Sequence, residues 1–484
     1  METPSPSANN LNPSTSLSED NKPFVLNYKR TFLIGFAFFG ILLLWQVYDS
    51  WCPNFLTELF KEALGASEER DVQYLVGIMM AMDNVAALIM MPIFGNLSDK
   101  THTKLGKRMP YILVGTFVCA VAFPFIPVLF HYHNLIGTLA IMAVVVFFAM
   151  MYRNPAVALM PDITPKPLRS KANGIINIMG YLGGAFAAVV GIFFQVTKYL
   201  GDSGDEYWVN RTANIWTIEI PFLVASGLMV ISAVVLIFTI KENKLEEEMK
   251  PEMERGERLA AIEDKIDDDK PMTKANKTML FLILGAEFFW FMADNGIGTF
   301  MSNYAVYHLY ANSGANLINT IVGGVGSVIG FVVGGWLAGK IGRKKTVLGG
   351  LALAGLAYLI WLIVSYAFPA VKPATGKNPF PFYLYIVWGI KGFGMSLVHI
   401  NSFPMVVELC SAKKVGKFTG YYYASSMAAQ TITPCLLGLL MLIPNFGFDL
   451  LPAYALICIG ISLAIFCFIK NIKKDIPEAK KALK

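Results

Sequence analysis

Ionisable side chains lie inside otherwise apolar runs of this 484-residue sequence, among them Asp49, Asp83, Arg153, Glu287, Asp294, Lys391 and His399. A charge at the centre of a lipid-buried helix costs about 2.5–3.5 kcal/mol or more, so each such group needs a reason to be there. Carboxylates in that setting can take up and release a proton or accept hydrogen bonds from hydroxyl groups. A guanidinium or ammonium can hold a carboxylate charged until a proton or a polar solute competes for it. An imidazole can pass a proton between them. The alternative is a set of structural ion pairs that hold helices together. Asn295 and Asn401 would add neutral donors and acceptors suited to a polyol, and Trp45 and Trp290 offer flat apolar faces.

These groups need long helices to position them. The chain is 55% hydrophobic and 15% charged, with a mean hydropathy of +0.52. Its charges are confined to short segments, and between them run apolar stretches of about 20 residues, enough to cross a bilayer. Spans are expected near 31–57, 72–97, 110–130, 135–158, 172–199, 214–240, 278–308, 315–339, 346–368, 381–408, 417–443 and 449–470. The fold class is therefore an all-α membrane protein, because lipid offers no partners to backbone polar groups and each helix must satisfy its own. Six cysteines without CxxC spacing read as packing residues. The polar start, 1–30, reads as a disordered tail, and 471–484 as a basic one.

Of the 40 Lys and Arg, 32 fall on the side that holds both termini and six on the other, which places both termini in the cytoplasm of a multi-pass protein of the cell membrane. Topology thus explains the net charge of +6, and no nucleic-acid partner is expected. The charged segment 241–277 divides the chain into 31–240 and 278–470, and it reads as a solvated helix or flexible linker.

The two parts repeat one another at an offset of about 245 residues. Gly40, Trp45 and Asp49 match Gly285, Trp290 and Asp294. Asp162 and Gly174 match Glu408 and Gly420, Arg153 falls on His399, and GNLSDK (95–100) matches GWLAGK (335–340). Twofold-related bundles of six helices, with a site between them at mid-membrane, are an architecture of secondary transporters. Gly95 is four residues before Asp99, on one helix face, where a missing side chain allows close approach. Asp99 can meet an arginine or a helix N-terminus, forming a latch that one state makes and another breaks.

Gly95-x3-Asp99-Lys100 followed by Gly106-Lys107-Arg108 resembles the loop signature of the major facilitator superfamily. SDKTHTKLGKRMPYI, RNPAVALMPDITPKPLRSKANGIIN and NSFPMVVELCSAKKVGKFTGYYYASS are similar to loops of the sucrose-transporter branch and its bacterial relatives, near the glycoside–cation symporters. The resemblance implies twelve transmembrane helices in two six-helix bundles, with spans 1, 4, 7 and 10 lining a central cavity. It implies gating by Gly95, Asp99, Gly106 and Arg108; Asp162 and Glu408, at equivalent ends of spans 4 and 10, are expected to form gate salt bridges, and Arg169 is counted with the gate. The second copy departs from it, having Gly339 where the first has Asp99.

The expectation is a secondary transporter, a proton-coupled symporter of a sugar or glycoside. Asp49 and Asp294 would divide proton and cargo between them, with Glu287, Arg153, Lys391 or His399 assisting; Arg153 would pair with Asp162 or Asp49, and Lys391 with Glu287. Partners are then a small solute, a coupling cation and the bilayer. An organic-acid or drug carrier, an antiporter, or sodium coupling stays open. No GxxxxGK[ST] or HExxH motif occurs, so neither an ATP pump nor a zinc enzyme is indicated, and no cofactor or metal is expected.

Overall fold

A computed structural model describes residues 23–200, 214–266, 274–374, 376–409, 414–444 and 446–470. Cys410, most of the first tail and all of 471–484 lie outside them. Twelve long helices follow in order: α1 Tyr28–Leu64, α2 Gln73–Asp99, α3 Met109–Ala122, α4 Leu135–Asp162, α5 Arg169–Phe193, α6 Trp216–Thr239, α7 Lys274–Asn303, α8 Ser313–Ile341, α9 Arg343–Ala367, α10 Phe382–Val407, α11 Val415–Leu440 and α12 Leu450–Cys467.

Local chemistry sets their ends. Asn27 and Asn134 accept backbone N–H bonds at the starts of α1 and α4, at 3.0 and 2.8 Å. Gly65 closes α1 with φ +61°, a conformation that suits a residue without Cβ. Pro124 interrupts the third span, which resumes as Phe125–His131. Among the described residues, eleven helical segments are long and apolar enough to cross a membrane. The exception is α11, long enough but carrying Tyr421, Ser425, Gln430 and Thr433. It packs against α2 of the other half and α7.

Buried side chains form two separate cores. One draws on residues from Leu26 to Ile240, with Val306 and Leu317 reaching in from the second half; the other spans Met279 to Ile469. The halves meet along α2 with α11, α5 with α8 and α1 with α7. Glycines permit these approaches. A Cβ on Gly77 would strike the Pro434 carbonyl, and one on Gly438 would lie 2.7 Å from the Gln73 carbonyl oxygen.

The segment between the halves is more than a solvated linker. It forms a helix, Glu242–Ile266, whose first residue is buried against the loop before α3. Asn243 donates to the Thr103 and Lys104 carbonyls at 2.9 and 3.2 Å, and Gly256 lies against Pro165 and Pro167. The end of the bundle that carries this helix is called the linker end below; the opposite end is the far end.

Candidate functional site

Two charged clusters occupy the middle of the spans. In the first half, Asp49 of α1 is exposed although it lies well inside its helix, and Asp83 of α2 and Arg153 of α4 are half-buried beside it. Arg153 interacts electrostatically with both carboxylates. Asp83 also accepts bonds from the Asn84 backbone and side-chain nitrogens at 2.6 and 2.8 Å. In the second half, Asp294 of α7 pairs with Lys391 of α10. His399, two turns along α10, interacts with both and rests edge-on against Phe291. Tyr181, on α5 of the first half, is close enough to feel the Asp294 charge, so residues of both halves bound one central space.

Several pairings differ from those the sequence suggested. Arg153 lies within electrostatic reach of Asp83 and Asp49, while Asp162 is paired with Arg108 at 2.8 Å and Lys107 at 3.4 Å. Lys391 pairs with Asp294 and not with Glu287, which is fully buried, with neither carboxyl oxygen hydrogen-bonded to the protein. Trp290 is fully buried in the second core, so its ring has no face for a cargo in this state; Trp45 keeps partial exposure, edge-on to Tyr48. Asn401 is spent on the Leu397 and Gly334 carbonyls, at 2.9 and 3.5 Å. Asn295 is half-buried, and its side-chain oxygen has no protein partner.

At the linker end, the signature loop wraps one arginine. Arg108 pairs with Asp99 and with Asp162, and it donates to Ser98 Oγ at 2.5 Å. Gly95 leaves room for Asn154, which donates to the Met91 carbonyl at 2.7 Å. Gly106 has φ +120°, and a Cβ there would overlap the Glu242 carboxylate. That carboxylate accepts from the backbone N–H of Arg108 and Met109, both at 3.0 Å, so the linker helix caps the start of α3. Burial pushes the Glu242 carboxyl above its ordinary range, against the opposing pull of these N–H groups. Arg169 donates to the Thr164 and Pro161 carbonyls, at 3.1 and 2.9 Å, and so fastens the end of α4. In the second half Arg343 pairs with Glu408, and Gly339 offers no carboxylate. The Asp99 latch is thus closed within the first half; it does not join the halves in this state.

The hydrogen bonds that join the halves gather at the far end, in a knot of largely neutral, buried groups that sequence reasoning missed. Asn303 of α7 accepts from Asn54 at 2.7 Å and donates to Thr57 at 2.9 Å and Gln73 at 2.8 Å. Ser302 donates to the Ser50 carbonyl and to Asn54 Oδ1, both at 2.9 Å, and Tyr307 donates to Glu58 at 2.7 Å. Thr197 and Ser313 add a second contact at 3.2 Å. Toward the linker end, Gly174 of α5 and Gly420 of α11 are exposed and border open space.

Twelve helices in two bundles, a charged centre and a seal at one end define a membrane carrier. Three overlapping stretches, 3–188, 51–371 and 283–484, match the model of the Major Facilitator Superfamily, and the chain belongs to that family of transporters. It is 27% identical over 393 residues to "Putative transporter AmpG 1" of Rickettsia bellii (strain RML369-C), covering 78% of this chain and 85% of the relative. Its fold is similar to that of the xylose transporter XylE from E. coli in an inward open conformation, with TM-score 0.62, 16% identity, and coverage of 94% of this chain and 98% of that one. A D-xylose-proton symporter is similar at TM-score 0.61 and 16% identity, over 92% and 98% of the two chains.

Proposed function

We propose that this transporter is a proton-coupled symporter of a sugar or glycoside, working by alternating access in the cell membrane with both termini in the cytoplasm. The charge balance of the central space carries this reading. Two cations, Arg153 and Lys391, face three carboxylates, Asp49, Asp83 and Asp294. Lys391 is paired with Asp294, and the charge of Arg153 is balanced by Asp83 and Asp49 nearby, so an organic anion would have to compete with these carboxylates. The surplus negative charge suits a proton or another small cation. Half-buried Asn295 and the carboxylate edges suit the hydroxyl groups of a neutral polyol. The D-xylose-proton symporter is a fold neighbour of that chemistry.

Positive residues concentrate at the linker end, which supports reading that end as cytoplasmic and this state, sealed at the far end, as inward-open. Rocking of 31–240 against 278–470 would break the Asn54–Asn303 knot and close the linker end. The test is reconstitution in sealed vesicles with a trapped pH dye and a panel of disaccharides, monosaccharides and organic acids, with and without sodium. A sugar that carries protons inward supports the reading. Sodium-dependent sugar uptake without proton movement replaces the coupling ion, and a response to organic acids alone sinks the proposal.

A further inference from the structure

Glu287 is a carboxyl deep inside its span that the central clusters do not use; Glu219, also outside them, sits in the first turn of α6. Glu287 lies on α7, seven residues before Asp294 and therefore about 10 Å along the helix toward the linker end. Its exposure is 0%, and neither oxygen has a protein hydrogen-bond partner. Its neighbours are neutral or already occupied. Ser425 of α11 and Ser462 of α12 donate to the backbone carbonyls of Leu284 and Ala286, both at 2.9 Å. His399 and Lys391 of α10 face Asp294. Tyr422 of α11 lies close enough to Glu287 to interact with its charge, and its hydroxyl is 2.9 Å from Ser402 of α10. Ser402 in turn contacts the His399 carbonyl at 3.5 Å.

An ionised carboxylate sealed in this position would face no cation and no donor, at a cost of several kcal/mol, whereas the neutral acid carries no such cost. Evolution of a plain packing site would find an apolar residue simpler. Resting on the symport reading above, we infer that Glu287 is the proton-carrying site of the transporter, apart from the cargo-facing Asp294, with Tyr422 as its proton route to the linker end. In the linker-open state the Glu287 carboxyl holds the proton on one oxygen. Loss of that O–H bond passes the proton through the Tyr422 hydroxyl to water at the start of α11, leaving the carboxylate to be neutralised again in the opposite state. Asp294 keeps Lys391 and contacts the cargo.

The test needs no cargo in its first arm. Infrared difference spectra of the reconstituted full-length protein across a pH titration should contain the carbonyl stretch of a neutral buried carboxylic acid. That band should vanish in Glu287→Gln, persist in Asp294→Asn, and respond more slowly to a pH jump in Tyr422→Phe. A band that survives Glu287→Gln overturns the assignment whatever the cargo proves to be. The second arm uses radiolabelled sucrose in the same vesicles. Glu287→Gln should exchange it across the membrane like the parent and fail to concentrate it on a proton gradient. Normal concentration by Glu287→Gln overturns the coupling role. If the parent moves no sugar, the symport reading fails, and the infrared arm alone decides whether Glu287 holds a proton.

Discussion

Asn303→Ala should open the far end. The side chain makes three short bonds across the halves, to the fully buried Asn54, Thr57 and Gln73, and a longer one of 3.4 Å to the Pro53 carbonyl. At about 1 kcal/mol net for each short bond, the sealed state loses about 3 kcal/mol. Asn54 Nδ2 and Gln73 Oε1 are left without those partners, which adds to the cost where water does not reach them. In the opened state the same groups meet water and lose nothing. The difference therefore falls on the equilibrium between the two states, at 1.4 kcal/mol per tenfold, and shifts it roughly a hundredfold toward opening. Leu317 is a suitable reporter, since it is 4% exposed and packs against Gly191 of the first half. In a background without the six native cysteines, Leu317→Cys should react with an impermeant maleimide added from the far side about a hundredfold faster when Asn303→Ala is present. The reaction rate follows the open fraction even when that fraction is small. An unchanged labelling rate together with a lowered Tm would refute the reasoning, because the knot would then hold the fold and not the gate.

Asp99→Asn should slow transport more than it weakens binding, with a stability loss of no more than about 1 kcal/mol, since the Asp99 side chain is 58% exposed; collapsed binding at an unchanged exchange rate would remove it from gating. Asp294→Asn should weaken cargo binding and abolish uphill accumulation, while lowering stability by about 2 kcal/mol, less than the loss of a fully buried ion pair because the aspartate side chain is 34% exposed; thermal melting and uptake measured on one preparation check both parts, and unimpaired accumulation excludes this carboxylate from the cycle. Gly77→Leu should prevent the far end from closing, because any Cβ meets the Pro434 carbonyl, and the Leu317→Cys labelling rate should rise as it does for Asn303→Ala.

The charged groups were legible in the sequence because they stand out against apolar runs, and the repeat that relates Asp49 to Asp294 sets them at one depth. Their partners were not. Whether Lys391 reaches Asp294 or Glu287 depends on how α10 crosses α7, and hydrophobic periodicity carries no crossing angle. Trp290 precedes Asp294 by four residues and shares its helix face by spacing, yet the boundary between core and central space runs between them: one is fully buried and the other half-buried. The far-end knot left no mark at all. Asn54, Gln73 and Asn303 are neutral residues near helix ends, where water would satisfy them equally well in another fold. Only the tertiary structure brings them together. Glu242 escaped notice for the opposite reason, since one buried carboxylate is hidden among the many charges of the linker.

The two halves are related in shape but not in how their linker ends are held. In the first half, Asp99, Asp162 and Glu242 converge on Arg108 and on the backbone that starts α3, and the linker helix presses on the turns at Thr103 and Pro167. Among the described residues of the second half, Glu408 pairs with Arg343, Lys344 donates to the Cys467 carbonyl at 3.0 Å, Gly339 replaces the aspartate, and α9 begins at Gly342 without a side-chain cap. A bundle held at this end by three carboxylates changes its internal packing at greater cost than one held by a single carboxylate among its described residues. The first half should therefore move as a rigid body, while the second takes up the internal adjustments that a cycle needs. That asymmetry places Glu287, Lys391 and His399 in the half free to repack around a change of charge. The signature loop, at the linker end of the opposite half, then serves as the fixed frame against which that repacking becomes movement.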